Sequence, residues 1–275
     1  MVRSRGVSDS APSSGIPTAS ATHWFLPVLT FHTIDEQPSV IAFPPEVFAR
    51  GIRRLYERGY RTLSLLDAAD CLRRHASFPD RCFILTFDDG YRTVYDNAFP
   101  VLQRYGMAAT VFLTVGTQRG LTTGRLPSLD NRPMLSWEEM REMHRAGMAF
   151  GAHTCTHRDL TGLPDREVQA EVVASKNMIE DGLGTAASCF AYPYGRYDAR
   201  VAELVRPYFV CACSDKLGLL TSRSDLYALE RVDAYYLRTD RLFDIMLTPF
   251  FPWYVRMRSV PRGLRRAYQT RRSAR

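Results

Sequence analysis

The chain is short of cysteine pairs, of long apolar runs and of late histidines, and each shortage narrows what it does. Its six cysteines (Cys71, Cys82, Cys155, Cys189, Cys211, Cys213) form no Cys-x-x-Cys pair. Cys82, Cys189, Cys211 and Cys213 lie in apolar, strand-like stretches, where a free thiol behaves as a small hydrophobe, so a disulfide framework is not expected. No stretch reaches the ~18 apolar residues of a membrane span. Residues 1–22 hold two arginines but lack the roughly 7–15-residue apolar segment of a signal peptide, and read as a disordered leader. The expectation from these absences is a cytoplasmic protein. Acid is missing from residues 251–275, which carry eight arginines. The formal charge of +7 is therefore carried by the tail, and the preceding 250 residues are nearly neutral. A nucleic-acid-binding face on the fold itself is thereby disfavoured. No histidine follows His157.

What is present is a foldable α/β chain. With 45% hydrophobic and 12% aromatic residues in 275, it suits one α/β barrel, a fold of roughly 200–250 residues. Strand-like and helix-like patterns alternate. Strands are expected at 23–32, in the short "RTLSL", and at 82–87, 108–113, 148–152, 188–192 and 208–213. Helices are expected at 44–60, 65–75, 93–105, from a Ser136–Glu139 capping box to Gly147, at 165–181 and at 198–206. Single helices between strands imply parallel βαβ units. The Gly/Thr/Pro-rich stretch 114–134 reads equally as a lid or a surface insertion. Trp24 and Trp137 are expected in the core, and His23, His75 and His144 as solvated or structural.

In a parallel α/β fold, function gathers at the carboxyl ends of the strands. Four polar clusters fall there: His32 after "VLTF", Asp88 and Asp89 after "FILTF", His153 and His157 in "GAHTCTH", and "PYG" (193–195) after "CFAY". The aspartate pair alone is ordinary turn chemistry. The two histidines, four apart, would share a face on one helical turn. Together they make an Asp-His-His set with positions left open, the donor pattern of a catalytic zinc or related divalent site. Asp89 is then free to coordinate, while its neighbour Asp88 takes a proton from metal-activated water.

"TFDDGY", "HTCTH" and "FAYPYG", with the flanking "VLTFH", "LSWEEMREMHRAG" and "RYDARV", resemble the polysaccharide deacetylase family with its NodB-homology domain. The resemblance extends over about residues 25–235. It implies a distorted (β/α) barrel of about seven strands, a catalytic domain over 23–245, and metal-dependent removal of N-acetyl, less readily O-acetyl, groups from amino-sugar glycans. By the same resemblance Asp88 matches the catalytic base, and Asp89, His153 and His157 the ligands of Zn²⁺, or of Co²⁺ or Ni²⁺. Tyr194, after Pro193, matches the residue whose backbone N–H holds the oxyanion.

Two departures stand out. Ala191 occupies the position of the family's base-orienting arginine, as in the poly-N-acetylglucosamine deacetylase branch; Arg231, in "LERVD", is the candidate replacement. The late leucine-x-histidine that supplies the catalytic acid has no histidine near "IMLTPF", and His32 matches the first-strand histidine of that same branch. The tail, 246–275, combines Phe250, Phe251, Trp253 and Tyr254 with arginines. It reads equally as a peripheral anchor on an anionic inner membrane face or as a strap packed on the barrel. The substrate expected is an acetylated glycan or lipid-linked saccharide, with no specific nucleic acid as partner. The competing readings are deformylation of a lipid-linked amino sugar and a non-catalytic carbohydrate-binding relative.

Overall fold

Residues 25–116 and 130–260 are described by the computed structural model; the leader, His23, Trp24, most of the 114–134 stretch and residues 261–275 lie outside them. The strands in chain order are β1 (Val28–Phe31), β2 (Thr33–Ile34), β3 (Ala42–Phe43), β4 (Arg61–Thr62), β5 (Cys82–Phe87), β6 (Thr110–Leu113), β7 (Ala149–Ala152), β8 (Cys189–Ala191), β9 (Cys211–Leu217) and β10 (Leu229–Asp233). β1 and β5 through β10 pair in parallel as successive neighbours, and a β1–β5 pairing closes the ring. The result is a seven-stranded barrel. The number agrees with the sequence expectation but the membership differs. "RTLSL" gives only β4, a two-residue edge on the start of β5, whereas "LERVD" is the full stave β10 between β1 and β9.

Parallel strands buried on both sides separate their side chains by alternation. Leu29, Phe31, Leu85, Phe87, Val111 and Leu113 join the larger apolar cluster, shared with the helices around the barrel. Val28, Ile84, Phe112, Cys189, Cys211, Cys213 and Leu229 form a second cluster inside it. Leu65, Ala68, Ala69 and Leu72 of helix α2 (Leu65–Arg73) belong to that inner cluster, so α2 plugs the amino end of the barrel. Two residues further along the strands the same inward positions turn polar: Thr30 on β1, Thr86 on β5, Arg231 on β10. Period two thus writes an apolar floor and a polar ceiling into each stave.

The helices are α1 (Pro45–Glu57), α2 (Leu65–Arg73), α3 (Phe99–Arg104), α4 (Trp137–Arg145), α5 (Asp165–Leu183), α6 (Ala199–Val205) and α7 (Asp240–Asp244). The predicted capping box opens α4, with Ser136 Oγ accepting the Glu139 N–H and Glu139 Oε2 accepting the Ser136 N–H. Trp137 is buried as expected. It lies against Gly182 of α5, where a Cβ would stand 2.2 Å from the indole. The roughly 1 kcal/mol that glycine costs a helix interior secures that close approach. The expected single helix over 93–105 is instead a π-turn (Val94–Ala98) followed by α3. Pro100 lacks the N–H that would continue the ladder, and the Phe99 N–H reaches back to the Val94 carbonyl.

At the carboxyl end of the chain, residues 251–260 are helical. Phe251, Tyr254 and Val255 are buried in the main cluster, and the Tyr254 hydroxyl donates to the Tyr236 carbonyl at 2.7 Å. Through residue 260 the tail is a strap on the barrel. Phe250, Trp253, Met257 and Val260, three or four residues apart along the other side, remain exposed.

Candidate metal centre and active site

Register brings the first pair of site residues together. Asp88 follows β5 at the level of His32 after β1, since Phe31 pairs with Phe87 and the Asp88 N–H donates to the Phe31 carbonyl at 2.9 Å. From β10, Arg231 reaches across the barrel mouth. Its Nη1 and Nη2 donate to Asp88 Oδ1 and Oδ2 at 2.7 and 2.8 Å, and its Nε donates to the Ser214 carbonyl at 2.9 Å. Both side chains are buried. An ion pair out of water survives only with good geometry and its remaining donors satisfied; the two-point fork supplies the first and the Nε–Ser214 bond serves the second. Burial by itself would raise the Asp88 carboxyl. The Arg231 guanidinium, helped by His153 and His32, overrides that and holds it at about 2. Asp88 is therefore a carboxylate at any physiological pH.

Asp89 diverges from Asp88 through backbone conformation. Its φ is 73° and Gly90 follows at 88°, so the "DDG" turn swings consecutive carboxylates to different partners; aspartate tolerates the left-handed region and glycine adopts it freely. Asp89 Oδ1 lies 3.5 Å from His153 Nε2 and 3.3 Å from His157 Nε2, and the two Nε2 atoms are 3.2 Å apart. His153 Nδ1 donates to the Ala191 carbonyl at 2.7 Å. A carbonyl only accepts, so Nδ1 carries a proton and Nε2 is the ring nitrogen turned toward the centre to serve as a ligand. Burial, then the neighbouring His153 ring, push His157 down to about 4, so His157 is neutral and able to ligate.

Three potential ligand atoms facing one another at the buried floor of a cavity call for a shared cation. Asp89 Oδ1 is buried with no hydrogen-bond donor among the described residues. Bonds of about 2.0–2.2 Å at tetrahedral angles would separate ligand atoms by roughly 3.3–3.6 Å, which is close to the spacing found. Asp89, His153 and His157 are the group among the described residues with donor atoms close enough to hold an ion. The donor set fits a divalent metal.

The route to that spacing differs from the sequence expectation. Residues 153–157 are not a helical turn. Thr154 and His157 both take positive φ, 68° and 57°, and the rings meet edge-to-face at 4.8 Å because an irregular loop folds one onto the other. "PYG" is a 3₁₀ turn in which Tyr194 also has positive φ, 56°. Its two hydrogen bonds use the N–H groups of Gly195 and Arg196, leaving the Tyr194 N–H out of both. Gly195 is obligatory, since a Cβ there would fall 2.1 Å from Asp215 Cβ. The exposed Tyr194 ring packs edge-on to His157 at 4.6 Å.

These residues line one cavity of about 260 Å³: Thr30, His32, Asp88, Asp89, His153, His157, Tyr194 and Arg231. Pro193 is buried beneath it at the start of the turn. Sequence reasoning missed Asp215 and Asp233, which also line the cavity. Both lie two residues past inward positions, Cys213 and Arg231, so the alternation that exposes Asp88 above Thr86 contained the signal. It also missed Glu171, which binds the backbone of the histidine loop and reads in sequence as one more solvated charge on a helix.

The description "polysaccharide deacetylase" belongs to the family that residues 75–208 match, a span holding Asp88, Asp89, His153, His157 and Tyr194 but neither His32 nor Arg231. YxkH of Bacillus subtilis (strain 168), named for the polysaccharide deacetylases, is 30% identical over 208 residues, 75% of this chain and 70% of its own length. The poly-β-1,6-N-acetyl-D-glucosamine N-deacetylase of Staphylococcus aureus (strain N315) is 30% identical over 135 residues, 45% of this chain and 43% of that protein. This chain therefore matches less than half of the staphylococcal enzyme. The crystal structure of BC0361, a polysaccharide deacetylase from Bacillus cereus, has a TM-score of 0.69 at 26% identity, covering 82% of this chain and 69% of that one. On residues, barrel and relatives together, the chain belongs to the polysaccharide deacetylase family, a family of hydrolases.

Proposed function

We propose that this protein is a metal-dependent deacetylase that hydrolyses the N-acetyl groups of an amino-sugar glycan. The observation that carries the reading is a carboxylate, Asp88, held by Arg231 beside a trio of converging ligand atoms on Asp89, His153 and His157. A binding module has no use for a base kept apart from its ligands. When bound, a divalent ion supplies Lewis acidity to the acetyl carbonyl and lowers the pKa of water. Asp88 accepts a proton from the attacking water, and Arg231 fixes the direction of its lone pairs. The Tyr194 N–H donates to the oxygen that gains charge as the carbonyl carbon becomes tetrahedral. His32, starting in its protonated form, gives a proton to the departing nitrogen, so the C–N bond breaks to give acetic acid and a free amine, with the water proton left on Asp88. The staphylococcal relative's name supports poly-N-acetylglucosamine as the substrate class.

The test is acetate release from N-acetylglucosamine oligomers, with N-formyl oligomers in parallel, by protein stripped and reloaded with Zn²⁺, Co²⁺ or Ni²⁺. Activity should vanish with chelator and return with metal. Asp88→Asn should lower the rate by roughly 10²–10⁴-fold while Co²⁺ affinity stays within a few-fold. Near-normal turnover by Asp88→Asn removes Asp88 as the base, and formyl-only activity replaces the acetyl reading.

The reading extends to a membrane-surface site of action, on a lipid-linked saccharide at the cytoplasmic face. Its support is the exposed row of Phe250, Trp253, Met257 and Val260 beside the arginines of the tail. Trp253→Ser with Phe250→Ser should reduce sedimentation with vesicles containing anionic phosphatidylserine; unchanged sedimentation sinks the membrane reading and leaves the hydrolase intact.

A further inference from the structure

The loop that carries both imidazoles leaves regular structure twice, at Thr154 and His157, with positive φ at non-glycine residues. Such backbone persists only where its surroundings determine it. Part of the restraint comes from the neighbouring strand end. The Val115 and Gly116 N–H groups donate to the Thr154 and Cys155 carbonyls at 3.3 and 2.7 Å, and the His157 N–H donates to Thr154 Oγ1 at 3.0 Å.

The loop's other donors converge on one carboxylate from a different element. Glu171, on α5, accepts the Cys155 N–H at 2.8 Å and the Thr156 N–H at 2.9 Å on Oε2. Its Oε1 accepts the Thr156 hydroxyl at 2.5 Å. Successive N–H groups after a left-handed residue form a concave anion receptor, and here the protein fills it with its own side chain. Glu171 is only 8% exposed, an uncommon environment for a glutamate. Its neighbours along the helix face, Val168 and Val172, are fully buried, so the carboxylate enters from a rigid wall of the core. Both of its oxygens are spent on the two residues midway between His153 and His157.

We propose that Glu171 is a positioning residue for the metal centre, holding the Thr154–His157 turn so that His157 Nε2 meets His153 and Asp89. The inference rests on the metal reading above. It assigns Glu171 no contact with substrate or ion; it acts through the backbone.

The test uses the full chain, metal-stripped, titrated with Co²⁺ and followed by visible absorption and by chelator competition. Glu171→Ala should bind Co²⁺ about 10–100-fold more weakly, with a weaker, shifted band as His157 leaves the coordination sphere. Glu171→Gln keeps one carbonyl oxygen for the two N–H groups and an NH₂ for the Thr156 hydroxyl, so it should fall between Ala and the parent chain. If Glu171→Ala does not fold, the Gln variant decides. A folded Ala or Gln variant with parental affinity and band shape overturns the proposal, even where its thermal midpoint is lowered, because a purely structural glutamate would behave so. Failure of the parent chain itself to bind Co²⁺ overturns the metal reading instead, which the parent titration reveals independently.

Discussion

The Asp88–Arg231 pair and the His153–His157 loop share one cavity but are built in opposite ways. The pair stands on regular strands, at inward positions set by period-two alternation and fixed by the register of β1, β5 and β10. Its charge state follows from a partner 143 residues away in sequence. The loop belongs to no helix or strand, takes left-handed backbone at two non-glycine residues, and is held from outside by Glu171. A strand end delivers a group whose position is set by the whole sheet. An irregular loop delivers two groups to a common point at the cost of conformations that only neighbouring side chains can enforce.

Substitutions test that contrast at decreasing scale. Arg231→Met leaves Asp88 charged and buried without its partner, and should cost about 3–5 kcal/mol in urea unfolding. Adding Asp88→Asn should recover part of the loss, and a cost under about 1 kcal/mol for Arg231→Met would show that the pair does not organise the barrel mouth. For the loop, Zn²⁺ at a thousandfold excess over its dissociation constant should stabilise the parent chain by about 4 kcal/mol. His157→Ala should erase most of that increment with little change in the metal-free protein. An equal increment in His157→Ala would remove His157 from the ligand set. Gly195→Ala, which drives a methyl group onto Asp215, should cost about 1–3 kcal/mol, read as a lower thermal midpoint. An unchanged midpoint would mean that the turn and β9 separate easily.

The smallest effect concerns the surface link between the loop and the "PYG" turn. Arg196 Nη1 donates to Asp159 Oδ2 at 2.8 Å, and both side chains are solvated, so Arg196→Ala should cost under about 1 kcal/mol. Partial burial pushes the Asp159 carboxyl up, but the bonds from Arg196 and Thr161 outweigh it and hold it below its ordinary value of 3.8. The folded-state pKa is depressed, so this contribution is present above pH 3.8 and is lost as pH falls through the folded value. The gap between Arg196→Ala and the parent chain should close in acid. A gap that widens in acid would contradict the pairing.

The same contrast explains what was legible in the sequence. β5 is legible to the residue, because "CFILTF" is a continuous apolar run ended by turn chemistry. The capping box of α4 is legible because it is wholly local. β10 escaped the strand count because Glu230 and Arg231 interrupt its apolar pattern, and only the far-off Asp88 makes Arg231 an interior residue. The convergence of Asp89, His153 and His157 was expected, but from helical spacing; no glycine in "HTCTH" announces left-handed backbone at Thr154 and His157. Glu171 was invisible because its acceptor role depends on a loop it meets only in the folded chain. Of the tail, Phe251, Tyr254 and Val255 pack in the main cluster, while the outward row of Phe250, Trp253, Met257 and Val260 keeps the surface reading testable.

The plug of α2 beneath the barrel has a kinetic meaning. Among the described residues the floor is filled by Leu65, Ala68, Ala69 and Leu72 against the inward side chains of the strands, so the barrel is closed at its amino end and the cavity opens at the carboxyl end of the strands. On the deacetylase activity proposed above, water, sugar chain and both products would share that doorway. Each turnover then ends with traffic in the opposite direction, and a fragment slow to leave stands in the path of the next arrival.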